Sequence, residues 1–168
     1  MATRNRAVQM TFAQLTFARL TVAAVALFAW AALMTLASAQ TSKELVDPNT
    51  AAATELQGLP NTTPALVADM VAQRPFKSVI DLNKFLIGHK LTQDQAREFY
   101  RRAFVKINLN TGTRDEFMLI PGVGARMSAE FAEYRPWKTW AQFDKEIGKY
   151  VGQQETDRFK LYVFIPPA

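Results

Sequence analysis

Ile120-Pro121-Gly122-Val123-Gly124-Ala125-Arg126 is the stretch on which the reading of this chain turns. Behind it, Met127, Phe131 and Tyr134 recur at helical intervals. The stretch therefore predicts a helix over about 114–119, a tight turn at 121–124 and a second helix over about 125–134. Glycine tolerates positive φ and carries no Cβ, so the turn can be sharp and its backbone can be approached closely. The turn runs straight into a helix whose first amides have no partner inside that helix. Those amides stand at the positive end of the helix dipole and form a ready anion site. The candidate donors are Gly122, Val123, Gly124, Ala125 and Arg126, the last adding its side-chain charge, while the Val123 side chain anchors the turn in the core. A phosphate backbone is the anion that fits. The bland alternative is a helix–helix connection that touches nothing.

The same plan occurs twice. Asp47-Pro48-Asn49-Thr50 matches Asn108-Leu109-Asn110-Thr111, Leu59-Pro60 matches Ile120-Pro121, and Arg74-Pro75-Phe76-Lys77-Ser78 matches Arg135-Pro136-Trp137-Lys138-Thr139. The offset is 61, becoming 60 by Ile87-Gly88 and Ile147-Gly148 and remaining so at Phe99 and Phe159. Each copy predicts four helices. The first, capped by Thr50 or Thr111, covers about 52–58 or 113–119. The second covers about 64–73 or 125–134 and is stopped by Pro75 or Pro136. The third, capped by Ser78 or Thr139, covers about 79–86 or 140–147. A turn at Gly88 or Gly148 leads to the fourth, over about 92–104 or 153–162. No stretch alternates with period two, so no sheet is expected. The fold class is all-α, two tandem compact four-helix units after an N-terminal signal helix. Units of about 60 residues are marginal alone, so the copies are expected to pack together.

The copies differ at the turn. Asn61-Thr62-Thr63 stands in the first where Gly122-Val123-Gly124 stands in the second. Asn accepts positive φ, β-branched Thr resists it, and Pro64 offers no N–H. The first turn reads as scaffold, with a DNA contact through the side chains of Asn61, Thr62 and Thr63 as the alternative. Lys90, after Gly88-His89, and Gly148-Lys149 are auxiliary phosphate candidates, with solvated loop lysines as the alternative. Arg74 and Arg135 read as elbow residues. Arg97, Arg101, Arg102 and Lys106 form the one basic cluster, either a backbone-tracking stripe or a solvated face paired with Asp94 and Glu98. Leu66, Met70, Val71, Tyr134, Phe131, Trp137 and Trp140 read as core.

The chain has 168 residues, no Cys and a formal net charge of +5. Disulfides, thiolate metal sites and Cys nucleophiles are excluded. Scattered carboxylates and a single histidine give no metal-ligand spacing, and no nucleotide-binding fingerprint follows a strand. The expectation is a non-enzyme without catalytic residues, metal or cofactor. Of the 20 Lys and Arg, Arg4, Arg6 and Arg19 lie in residues 1–39, which leaves 17 against 15 acidic residues and a net charge of +2. DNA contact must then come from local geometry rather than a global field. Residues 1–39 read as a signal peptide: a basic start, an uncharged stretch from Leu20 to Leu36, and Ala37-Ser38-Ala39 before a cleavage at Gln40. The rival reading is an uncleaved anchor in the inner membrane, somewhat short against the ~20 residues of a spanning helix. Either way the remainder faces the periplasm or the outside of a bacterial cell. The domain expectation is 1–39 leader, 40–104 first copy, 105–168 second copy.

Ile107 to Thr111, Pro121-Gly122-Val123-Gly124 and Glu133-Tyr134-Arg135 resemble the helix-hairpin-helix motif, and specifically the short secreted helix-hairpin-helix proteins of bacterial competence. The resemblance covers roughly residues 44–168, strongly in the second copy and weakly in the first. It implies that each unit is a double helix-hairpin-helix, and that the protein binds double-stranded DNA without sequence preference and receives it at the cell envelope during uptake. The alternative is an envelope module that has lost DNA binding and engages a protein partner, as the degenerate first turn and the small net charge suggest. A membrane enters only if the leader stays attached.

Overall fold

A computed structural model describes residues 44–167; the leader and its cleavage site lie outside the described residues. Among the described residues eight helices follow one another: α1 (Ala53–Gln57), α2 (Pro64–Gln73), α3 (Val79–Gly88), α4 (Gln93–Tyr100), α5 (Arg114–Met118), α6 (Ala125–Glu133), α7 (Trp140–Val151) and α8 (Gln153–Lys160). Two-residue strands β1 (Ile107–Asn108) and β2 (Val163–Phe164) pair in parallel. The protein is mostly helical, and none of the described helices is long and apolar enough to cross a membrane.

Local chemistry explains most boundaries. Thr63 caps α2 by accepting from the Leu66 amide, and Pro64 fills the first helical position, where no N–H is needed. Ser78 and Thr139 cap α3 and α7. Thr92 with Gln95, and Thr113 with Glu116, form reciprocal capping boxes on α4 and α5. The cap of α5 is thus Thr113, not Thr111, and that of α1 is Ala52, not Thr50. Thr50 instead donates its hydroxyl to Asp47, in a turn where Asp47 also accepts the Asn49 amide. Asn108 accepts the Asn110 amide in the same way.

The elbows repeat bond for bond. Asn49 accepts from the Phe76 amide (2.8 Å) and donates to its carbonyl (3.0 Å), while Arg74 donates to the carbonyls of Pro48 and Ala51, both at 2.7 Å. Asn110 and Trp137 make the same pair of bonds, and Arg135 binds the carbonyls of Leu109 and Gly112. Both Arg–Pro peptide bonds are cis. Arg74 and Arg135 are therefore elbow residues, as their position suggested.

A single apolar core runs through residues of both copies, and residues 44–167 lie in one compact unit. The ring of Phe104 packs edge-on against Tyr162 at 5.0 Å, and Phe131 touches Phe117, Phe143 and Phe159. Two residues expected inside are not: Val71 is 40% exposed and Trp140 39%. Val71 directly follows Met70, whose side chain takes the inward direction. Trp140 is the first residue of α7, where a helical face has little to lie on.

Two further expectations need correction. A sheet exists, short as it is. The amide of Ile107 binds the Tyr162 carbonyl and that of Leu109 the Phe164 carbonyl, while Val46 bridges to Ala103 in the first copy. Strands of two residues carry no period to detect. The turn expected at Gly148 is also absent, since α7 runs through Gly148 to Val151. The chain reverses at Gly152, whose φ is +78°. Buried Leu82 and Leu86 correspond to Phe143 and Ile147 at offset 61, while buried Ala96 and Phe99 correspond to Thr156 and Phe159 at 60. The lost residue therefore falls in the connection after α7, not before Ile147.

Candidate nucleic-acid interface

The turn between α5 and α6 is held from three sides. The Val123 amide donates to the Ile120 carbonyl at 3.0 Å, and the Val123 side chain is buried. Val123 is thus the anchor expected of its side chain, but its amide is committed to the turn and is not an available donor. Gly122 has φ +86°, the left-handed region that Asn61 also occupies at +61° in the first copy. From α8, Arg158 donates to the Pro121 carbonyl at 2.6 Å. Two further bonds to Glu155, at 2.5 and 2.7 Å, orient the guanidinium, and those bonds hold its pKa above the ordinary value. Arg158 was not singled out in the sequence. Its spacing to Glu155 was legible, but its bond to Pro121 spans 37 residues.

Gly124 is the N-cap of α6 with φ −105° and ψ −179°, an extended conformation open to any residue. A Cβ there would meet nothing within 4 Å. Neither backbone strain nor packing calls for glycine at this position. What its absence of side chain does is leave the helix end bare: the amides of Gly124, Ala125, Arg126 and Met127 have no acceptor among the described residues. The first copy is closed at the same place, where Thr63 accepts from Leu66 at 3.2 Å and Pro64 has no N–H. Asn61 there donates to the Gln95 carbonyl at 3.3 Å.

Around this end, Gly124, Arg126, Met127 and Tyr150 line a hollow of about 250 Å3. The Arg126 guanidinium lies 5.5 Å from the centroid of the Tyr150 ring, a cation–π arrangement that keeps its charge beside the helix start. The Tyr150 hydroxyl is 3.0 Å from that of Tyr134, and that hydrogen bond, with the neighbouring Glu130 carboxylate, pushes its pKa up to about 12. Tyr150 is a site neighbour that sequence reasoning missed, because it faces Arg126 only if α7 continues past Gly148.

The auxiliary candidates fare differently. Gly148 lies inside α7, so its expected place in a hairpin is corrected. Lys149 does not follow a turn. Its ammonium donates to Glu146 and to the Tyr134 hydroxyl, each at 2.8 Å, and those bonds raise its pKa above the ordinary lysine value. Lys90 has φ +70° in the connection between α3 and α4, in the other copy. In the basic cluster, Arg97 pairs with Asp94 at 3.4 Å, Arg101 with Glu98 at 3.3 Å and Lys106 with Glu44 at 3.7 Å, all exposed. Such pairs hold little energy and can exchange for phosphate. Of the predicted residues, the structure brings Gly122, Gly124, Ala125 and Arg126 together at one helix start, with the Lys149 ammonium beside them, 5.1 Å from the centroid of the same Tyr150 ring, while Lys90 lies in the other copy and Gly148 inside α7. Compared with protein-family models, curated proteins and solved structures, the chain finds no match.

Proposed function

We propose that residues 44–168 are two tandem four-helix copies, each a double helix-hairpin-helix unit, and that the second copy grips the phosphate backbone of double-stranded DNA. The observation that carries this reading is the bare start of α6. Gly124 has no conformational or steric reason to be glycine, and its lack of a side chain leaves open the Met127 amide, whose counterpart at Leu66 is closed by Thr63 in the first copy, where Pro64 also removes the N–H that Ala125 keeps. A phosphate oxygen supplies the missing acceptor, the helix dipole favours its charge, and Arg126 adds a cation. Contacts of this kind position DNA without reading bases, so binding is independent of sequence. By the resemblance, the protein is exported and receives or retains DNA at the cell envelope.

The test is DNA binding by residues 40–168 across a salt series. With about four phosphates neutralised, affinity falls on the order of a hundredfold between roughly 50 and 200 mM salt. Gly124→Thr transplants the cap of the first copy and is the informative variant. It keeps the fold and loses most of the binding. A folded wild-type fragment without salt-sensitive binding at micromolar protein refutes the reading. Full binding by a folded Gly124→Thr variant moves the contact to Arg97–Lys106.

A further inference from the structure

Each elbow borders a groove, and the two grooves differ in what lines and fills them; at offset 61 Phe85 and His89 of the first correspond to Glu146 and Tyr150 of the second. In the second copy the groove is filled by its own chain. The Tyr134 ring lies 6.0 Å from that of Trp137, and the Lys149 ammonium stands 4.5 Å from the Tyr134 centroid. The Gln142 amide closes the arrangement by donating to the carbonyls of Tyr134 and Pro136. At offset 61, the counterparts of Tyr134, Gln142 and Lys149 are Gln73, Asp81 and Gly88. None of these supplies a ring or an ammonium.

The first-copy groove is open, with a volume of about 730 Å3, inside the range of roughly 300–1,000 Å3 usual for binding sites. Its floor is aromatic: Phe85 meets Phe76 edge-on at 5.3 Å and His89 at 4.3 Å. Lys77 and Lys84 stand on its rim, exposed and without an ion pair among the described residues. Asp81 is in the wall.

We propose that this groove docks a protein partner through an aromatic side chain flanked by carboxylates. The second copy supplies the template for the ring, since there the Tyr134 side chain lies beside Trp137, the counterpart of Phe76. The two rim lysines supply the preference for acidic flanks, and Asp81 disfavours a phosphate seated in the groove itself. The inference does not rest on the DNA reading, which concerns the other copy. Together they describe a chain whose copies have divided two tasks.

The probe is the capped peptide acetyl-Asp-Glu-Tyr-Glu-Asp-amide, titrated into residues 40–168 and followed by backbone amide chemical shifts. Saturable shifts at Lys84, Phe85 and His89 are expected. Two variants weaken them about tenfold or more, equivalent to about 1.4 kcal/mol. Gln73→Tyr/Gly88→Lys fills the groove as the second copy does, and a Cβ at Gly88 meets nothing within 4 Å. Lys77→Glu/Lys84→Glu reverses the rim and touches no core residue, so it remains informative if the first variant misfolds. Three results overturn the proposal: no saturable shifts at millimolar peptide, undiminished binding by the folded variants, or groove shifts produced by a thymidine dinucleotide and not by the peptide.

Discussion

Arg158 holds Pro121. The guanidinium on α8 reaches the carbonyl at the top of the glycine turn at 2.6 Å, and Glu155 fixes its other edge. Nothing else from α8 binds the turn backbone among the described hydrogen bonds, so Arg158 sets where the start of α6 points. Arg158→Ala should lower stability by about 1–2 kcal/mol, the value of a charge-assisted bond discounted for its partial exposure. Urea denaturation of the two proteins measures it. An unchanged midpoint would show that the turn stands without α8.

The two glycines of the turn should respond oppositely. Gly122→Val forces a β-branched residue to φ +86° and brings its Cβ to 3.0 Å from Arg158, and should cost about 1–3 kcal/mol. Gly122→Asn adopts what Asn61 already does and should cost less than half as much. Gly124→Thr should leave stability equal or a few tenths of a kcal/mol higher, since Thr and Gly are comparable N-caps and the backbone is already extended. Thermal melts of the three variants separate these outcomes.

Asn110→Ala removes both bonds that clamp the Trp137 backbone and should cost about 2–3 kcal/mol, the Trp137 amide and carbonyl losing their partners together. Asn49→Ala should cost a similar amount through Phe76. The two sites share no partner, so the double variant should equal the sum within about 0.5 kcal/mol. Chemical denaturation gives all three values.

The two tryptophans of the second copy make a clean contrast. Trp137 is 1% exposed and donates its indole N–H to the Phe131 carbonyl at 2.7 Å, whereas Trp140 is 39% exposed. Trp137→Ala should cost about 3–5 kcal/mol and Trp140→Ala about 1 kcal/mol or less. Equal losses would contradict the packing.

At high pH the fold should weaken through Tyr100, whose phenol is buried, donates to Asn83 at 2.9 Å, and is held well above its ordinary value by desolvation. Below about pH 10 the phenol is protonated in both folded and unfolded chains and contributes no slope. Above it the unfolded chain ionises first, so stability falls by about 1.4 kcal/mol per pH unit until the folded phenol also ionises. Tyr100→Phe should be about 1 kcal/mol less stable at pH 7 and lose less on alkalinisation, so the two curves converge near roughly pH 11. Parallel curves from pH 9 to 11 would contradict this.

The sequence showed the helices well because they rest on local signals. Proline stops at Pro75 and Pro136, hydroxyl caps at Ser78 and Thr139, and apolar spacing in α2 and α6 all act within one helical turn. It misled where a local signal was outweighed. Gly148 looked like a turn, yet a glycine with φ in the helical range is tolerated when neighbours such as Phe143 and Ile147 are buried on the same face. That single misplacement shifted the alignment by one residue and hid Tyr150 from the site. The pairings of Arg158 with Pro121 and of Ile107 with Val163 join distant segments, and nothing in either segment announces the other. The capping box of Thr113 and Glu116 was legible and was passed over for the repeat-matched Thr111.

The backbone pairings that were invisible in the sequence also tie two stretches of chain end to end. Val46 lies against Arg102, Ala103 and Phe104 at the close of the first copy, and Ile107 lies against Tyr162 and Val163 at the close of the second. Each copy therefore begins where it ends, and only Val105 and Lys106 separate one closure from the next opening. Each span is thus tied by backbone hydrogen bonds between its own two ends, and the Val105-Lys106 joint carries neither tie.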